Sequence, residues 1–270
     1  MTGATTVDER IATMPRGGPD ATWLDRRLQT ETPEYTDRYD VPDDVKQTVI
    51  TALDRMGARG SWHERNARLA LDAVSDIPHP RILELGAGHG RLSAKILELH
   101  PTATVTVSDL DPTSVANMSA GDLGAHPRAR TQVVDATAID AGDDDYDLVV
   151  FAMAFHHLPP GTAVRTIAEA TRIGKRFLVI DLKRPPPLGA IFLPFMAAPA
   201  AVAVMARPST RHVIHDGVIS VLRAYSRSAL VALGEAADPA MQIEALPSSP
   251  RFGPLAMTFS RPKPTTRRQP

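Results

Sequence analysis

Residues 81–92, RILELGAGHGRL, restrict the chain more than any other stretch. A short apolar run over residues 81–85 reads as a buried strand, with the acid Glu84 next to its end. Gly86, Gly88 and Gly90 follow at alternate positions, and residues 92–99 are compatible with a helix. A strand that turns straight into a helix needs glycine where φ is positive or where a ligand approaches the backbone closely. The turn also leaves the first helical amides pointing at whatever binds there. Dinucleotide sites use G-x-G-x-x-G, with pyrophosphate over the helix start. Here the third glycine comes one residue earlier. At this point a nucleotide-type ligand and a ligand-free turn both fit the residues.

The rest of the chain sets bounds. Its 270 residues, 43% of them hydrophobic, allow a sizeable core in one large domain or two small ones. A net charge of −1 gives no global basic field for nucleic acid, and 5% aromatic content leaves few stacking platforms for it. Cysteine is absent, which excludes disulfides, thiolate metal sites and cysteine nucleophiles and is compatible with a cytoplasmic location. The first residues lack the basic-then-apolar order of a signal peptide. Residues 1–20, with Pro15, Gly17, Gly18 and Pro19, are expected to be a flexible tail. Residues 21–77 are expected to form a helical cap. Within it, residues 23–28 predict a short helix. Val45, Val49, Leu53 and Met56 recur at helical spacing over residues 43–56, and Gly57 and Gly60 are expected to end that helix. Ser61 and Glu64 have the spacing of a capping box that starts a helix running to about Val74.

Residues 104–108 and 130–134 are strand-like and end at Asp109 and Asp135, 147–153 read as a fourth strand too apolar to face water, and 176–180 as a fifth ending at Asp181. Helical segments separate them, one opened by Asp111 and Pro112 and another over residues 162–172. This alternation predicts an α/β domain with a mostly parallel sheet and helices on both faces, over residues 78–262. Residues 184–225 interrupt it. Residues 188–206 are apolar with Pro194 and Pro199 inside, and His212 and His215 fall in an expected loop, with no metal site anticipated. A helix over residues 226–236 and strands over 241–246 and 255–260 close the domain, and residues 263–270 read as a second flexible tail.

Glu84, Gly86, Gly88 and Gly90 spell E-x-G-x-G-x-G, acids end the second and third strands, FAMAFHHL occupies residues 151–158, and a hairpin closes the chain. In this order they resemble the class I S-adenosylmethionine (SAM)-dependent methyltransferases, and are similar to the ubiquinone/menaquinone biosynthesis-like small-molecule enzymes of bacteria. HDGVISVLRAYS, residues 215–226, resembles a stretch of the same group. The resemblance covers residues 82–260. It implies a Rossmann-like seven-stranded sheet with a C-terminal antiparallel hairpin, N-terminal helices over the cleft, and SAM as cofactor. It also implies that Glu84, Gly86, Ala87, Gly88, Gly90, Asp109, Leu110, Asp135 and Ala136 bind it. Asp109 would accept from the ribose hydroxyls, although Asp111 is an alternative acid and an equally good helix cap. Asp135 would accept from the adenine amino group while the Ala136 amide donates to the ring. Ala87 and His89 would present backbone to the methionine part. Glu84 would orient the loop or the ammonium through water, or be a buried structural acid.

His156 and His157 are the catalytic candidates, because imidazole titrates near neutral pH and can deprotonate a phenol. The alternative is that one of them packs and orients the loop. The segment differs from the Asn/Asp-Pro-Pro-aromatic motif of enzymes that methylate exocyclic adenine or amide nitrogens. The expected reaction is in-line transfer of a methyl group to oxygen, or to an activated carbon, of a small, largely apolar aromatic, polyketide- or quinol-like acceptor. The other readings are a SAM-binding protein without catalysis and a methyltransferase acting on a protein. Residues 188–206 have the length of a transmembrane helix, opposed by their two prolines; they also suit contact at a membrane surface, or a lid over an apolar molecule, which is the expected role.

Overall fold

The computed structural model describes residues 9–187, 189, 208–247 and 253–262. Its seven strands are β1 (Arg81–Leu85), β2 (Thr104–Asp109), β3 (Ala129–Val133), β4 (Leu148–Ala152), β5 (Phe177–Asp181), β6 (Gln242–Ala245) and β7 (Leu255–Ser260). They form one sheet in the order β3-β2-β1-β4-β5-β7-β6. The first five are parallel, and β7 runs antiparallel between β5 and β6. The central strands are apolar throughout because helices cover both faces. Val149 and Phe151 point to one side, with Leu83, Leu85, Phe177 and Val179. Leu148 and Val150 point to the other, with Ile82, Val105, Leu178 and Ile180. Each such side chain contributes about 1.5–3 kcal/mol on leaving water.

The helices are α1 (Glu9–Ala12), α2 (Trp23–Leu28), α3 (Asp43–Arg59), α4 (Trp62–Asp72), α5 (Arg91–Leu99), α6 (Pro112–Ala120), α7 (Asp122–Ala125), α8 (Pro160–Ile173), α9 (Pro208–Arg223) and α10 (Arg227–Ala237). Asp111 caps α6, accepting from the amides of Thr113 and Ser114, with Pro112 at the first helical position. Buried Ala163, Val164, Ile167, Ala170 and Ile173 lay one stripe of α8 on the sheet.

Four local expectations are corrected. Helix α3 ends at Gly60 as expected but not at Gly57, which it runs through; Gly57 instead lets α3 approach α4, since a Cβ there would lie 2.5 Å from the His63 ring. Ser61 forms no capping box. It sits at φ +53° and accepts no cap hydrogen bond, whereas that motif needs an extended N-cap residue. His212 and His215 lie in helix α9, not in a loop.

The largest correction concerns residues 1–20. Among the described residues 9–20, Met14 and Arg16 are buried, and Arg16 is 1% exposed. Its Nη1 donates to the carbonyls of His156 (2.7 Å) and Arg223 (3.1 Å), and its guanidinium lies over the Tyr225 ring, 4.5 Å from the centroid. The Ser226 amide donates to the Arg16 carbonyl at 2.9 Å, and Ser226 Oγ to that of Gly17 at 2.7 Å. The expected lid, apart from Gly189, and the tail over 263–270 lie outside the described residues. No helix among the described residues is long and apolar enough to cross a membrane.

A flexible segment would tolerate any substitution at residue 16. Arg16→Ala instead strands two buried carbonyls and removes the stacking partner of Tyr225. We expect it to lower unfolding free energy by roughly 3 kcal/mol in urea denaturation.

Candidate active site

The turn from β1 into α5 holds Gly86, Gly88 and Gly90 at φ of +61°, +56° and +69°. Gly86 is also irreplaceable on space, since a Cβ would sit 2.6 Å from the Phe151 ring. Within the turn the Ala87 amide donates to the Ser108 carbonyl at 2.9 Å, which ties the loop to β2. The Gly88 amide donates to Asp109 Oδ2 at 2.8 Å, and the Asp111 amide to Oδ1 at 2.9 Å. Burial holds the Asp109 carboxyl above its ordinary range in spite of these amides. Glu84, beneath the loop, is buried. It accepts from the Ser93 amide at 3.0 Å and from the Ser93 hydroxyl, and burial pushes it up to about 7. One carboxylate oxygen of Glu84 is thus engaged by helix α5 itself.

Helix α3 stands over this loop. His89, between the second and third glycines, meets Asp54 Oδ2 through Nδ1 (2.7 Å) and Gln47 Oε1 through Nε2 (2.8 Å). Gln47 also donates to Ser114 Oγ at 3.2 Å and accepts from Asn117 at 3.0 Å. The His89 side chain therefore latches the cap, where only its backbone was expected to matter. On the neighbouring strand ends, Leu110 is 63% exposed, while Asp135 Oδ1 accepts from the Thr137 amide (2.8 Å) and hydroxyl (2.7 Å) with Ala136 half-buried beside it. The predicted cofactor residues Glu84, Gly86, Ala87, Gly88, Gly90, Asp109, Leu110, Asp135 and Ala136 thus gather at the carboxyl ends of β1, β2 and β3.

His156 and His157 lie at the next strand end, in a short 3-10 turn after β4. Phe155 anchors the turn, its ring 5.7 Å from Phe151 and 5.9 Å from Tyr225. Asp181, closing β5, accepts from the His156 amide and engages His156 Nδ1, each at 2.7 Å. Nδ1 of His157 meets Asp37 Oδ1 at 2.6 Å. The two Nε2 atoms approach Glu34: His156 at 3.4 Å from Oε1 and His157 at 3.7 Å from Oε2. Arg223 bridges Asp37 and the His157 carbonyl, and Ser220 Oγ donates to Glu34 Oε1 at 2.9 Å.

The electrostatics follow. His156 is 2% exposed, and burial works against its charge, but Asp181 and Glu34 outweigh burial and push it up to about 9. Burial likewise opposes ionisation of Glu34 and Asp37. The imidazoles, with Arg223 on Asp37, overcome it and hold both carboxyls low. Glu34, Asp37 and Arg16 were not singled out in the sequence, because a few acids among prolines and tyrosines carry no periodic signal.

Comparison with known proteins bears on the family and the fold. Residues 82–176 match the model of a family described as a methyltransferase domain. A demethylmenaquinone methyltransferase of Beutenbergia cavernae is 26% identical over 191 residues, 67% of this chain and 70% of that protein. A malonyl-[acyl-carrier protein] O-methyltransferase of Geobacter sulfurreducens is 32% identical over 105 residues, 39% of this chain and 38% of that protein. The structure of the plantazolicin methyltransferase BpumL, in complex with a monoazolic desmethylPZN analog and SAH, superposes with a TM-score of 0.58 at 11% identity. That likeness of fold covers 82% of this chain and 91% of the other.

The raised Glu84 carboxyl has a consequence for stability. Between its ordinary value of 4.5 and about 7, the folded chain holds this proton more tightly than the unfolded chain does. Glu84 therefore favours folding most below that window, and its contribution falls as pH rises through it. Wild type should lose on the order of 3 kcal/mol of unfolding free energy across the window relative to Glu84→Gln, measured by denaturant titration at a series of pH values.

Proposed function

The chain is a class I SAM-dependent methyltransferase, and from that premise we propose that it methylates an oxygen, or an activated carbon, of a small, largely apolar aromatic, polyketide- or quinol-like acceptor. The observation that carries this reading is the cover that the chain itself builds over the ends of β4 and β5. Residues 34–37, helix α9 and the His156–His157 turn meet there through buried ionic contacts, so the chain's own cap stands where a macromolecule would have to dock.

The cofactor side fits SAM on the chemistry of its residues. Gly86 and Gly88 expose backbone at positive φ. Asp109 is a half-buried carboxylate that two amides leave short of full stabilisation, so ribose hydroxyls are the donors it lacks. Asp135 and the Ala136 amide suit the adenine edge, Leu110 offers an apolar surface beside it, and Glu84 holds the loop through Ser93. When bound, SAM supplies a methyl group already activated by a sulfonium.

The chain must then position the acceptor in line and keep water away. SAM would supply the methyl group and its sulfur the leaving group, while the residues beyond β4 and β5 would hold the acceptor oxygen in line with that methyl. The acceptor's hydroxyl proton would pass to water beside the Glu34, His156 and His157 cluster. His156 is a positioning residue in this scheme, fixed on both sides by Asp181 and Glu34. His157, less buried, borders the acceptor.

Hydrogen bonds to a charged group contribute about 1.5–3 kcal/mol each. Asp109→Ala should therefore weaken SAM binding at least tenfold in calorimetry, with the fold intact by circular dichroism. Wild type incubated with labelled SAM and a panel of phenols and quinols should yield a labelled, solvent-extractable product. Unchanged SAM affinity in folded Asp109→Ala would refute the ribose role. Label found only in added protein would refute the small acceptor.

A further inference from the structure

Glu34 and the pair His156–His157 come from distant parts of the chain, yet the ligand atoms they can offer converge. One atom from each residue, two imidazole nitrogens and a carboxylate oxygen, lies within 4.8 Å of the others. The separations of 3.4 and 3.7 Å between the Nε2 atoms and the Glu34 oxygens are too long for good hydrogen bonds. They are close to the spacing of ligands around a tetrahedral ion, roughly 3.4 Å for bonds of about 2.1 Å. Nε2 of His156 is buried and has no hydrogen-bond partner although it faces this carboxylate.

The outer atoms support the same geometry. Each Nδ1 is held by a carboxylate, Asp181 for His156 and Asp37 for His157, at 2.7 and 2.6 Å. That is how metal-ligating histidines are oriented, with Nε2 left to the ion. The two carboxylates are fixed in turn, Asp181 by the His156 and Leu182 amides and Asp37 by Arg223. The two rings lie side by side, centroids 4.4 Å apart and 33° from parallel, an awkward placement for two imidazolium ions. Local charge points the same way. Glu34, Asp37 and Asp181 supply three carboxylates to the cluster against the one guanidinium of Arg223, leaving two negative charges if the imidazoles are neutral.

We propose that Glu34, His156 and His157 form a two-histidine, one-carboxylate site for a divalent transition metal ion, with Zn²⁺, Mn²⁺ or Fe²⁺ the suitable class. Three protein ligands leave a position open for an oxygen ligand. The ion takes the place of the proton otherwise shared between Glu34 and the imidazoles. Its role in the reaction rests on the proposed transfer to oxygen: an acceptor hydroxyl coordinated there is acidified and releases its proton to water. Binding of the ion does not rest on that reading.

The full-length protein, stripped with a chelator and dialysed, is the material for the test, with Co²⁺ and Zn²⁺ as probes. Wild type is expected to take up about one equivalent, with Co²⁺ visible absorption bands of a four- or five-coordinate nitrogen–oxygen site. Glu34→Gln and His157→Ala should each weaken uptake by roughly a hundredfold, following the 10- to 100-fold or greater losses seen when ligand shells are broken. His79→Ala, at an exposed site away from the cluster, should bind as wild type does. SAM binding is measured on every sample, so that a misfolded variant is recognised and the cofactor reading is judged separately. Wild type that binds SAM but takes up no stoichiometric Co²⁺ or Zn²⁺ overturns the proposal. So does equal uptake by folded Glu34→Gln and His157→Ala.

Discussion

Asp181 closes β5 with a carboxylate that is kept from water, and the satisfaction of that carboxylate organises the acceptor side of the molecule. One oxygen takes the His156 amide, the other the His156 ring and the Leu182 amide. The turn after β4 is thereby drawn across to the neighbouring strand. Its carbonyls then face outward, where Arg16 and Arg223 take those of His156 and His157. Two arginines, from opposite ends of the chain, thus converge because backbone oxygens in a buried turn need donors. Glu34 and Asp37 follow as the counter-charges.

The cofactor side is built on a different economy. The glycine loop holds its shape mostly by backbone bonds, with Asp109 and Glu84 as the side chains that fasten it to β2 and α5. Both acids lie above their ordinary range because burial exceeds what their partners return. On the acceptor side the balance is reversed, and Glu34 and Asp37 lie low among cations. Opposite shifts, at the ends of β1 and β2 and in residues 34–37 over the turn after β4, separate a half short of donors from a half with donors already in place.

The sheet was legible in the sequence because parallel strands covered on both faces write continuous apolar runs, and because acids mark where β2, β3 and β5 end. The glycine turn was legible because positive φ leaves little choice of residue. What was not legible depends on partners far away in the chain. Nothing local marks Arg16 as buried, since its burial is decided by Tyr225, His156 and Arg223. Glu34 and Asp37 sit in a segment without periodicity. Residues 208–216 lack an apolar stripe, and the helix there is held by contacts such as that of Asp216 with the Tyr35 amide at 2.9 Å. Ser61 shows the converse, a correct local spacing overruled by the left-handed turn between two packed helices.

The clasp formed by Arg16, Tyr225 and Ser226 also bears on how the molecule is made. During synthesis residues 14–18 leave the ribosome long before the residues they close upon, and the partners of Arg16 extend to residue 223 and beyond. Loop closure over such a span is slow to be rewarded, whereas each βα unit meets neighbours close in sequence. The five parallel strands can therefore consolidate first, with the amino-terminal strap still free. Closure over the candidate site then becomes a late event in biogenesis, and a chain whose translation stops before α9 would hold the glycine turn with no cover over the ends of β4 and β5.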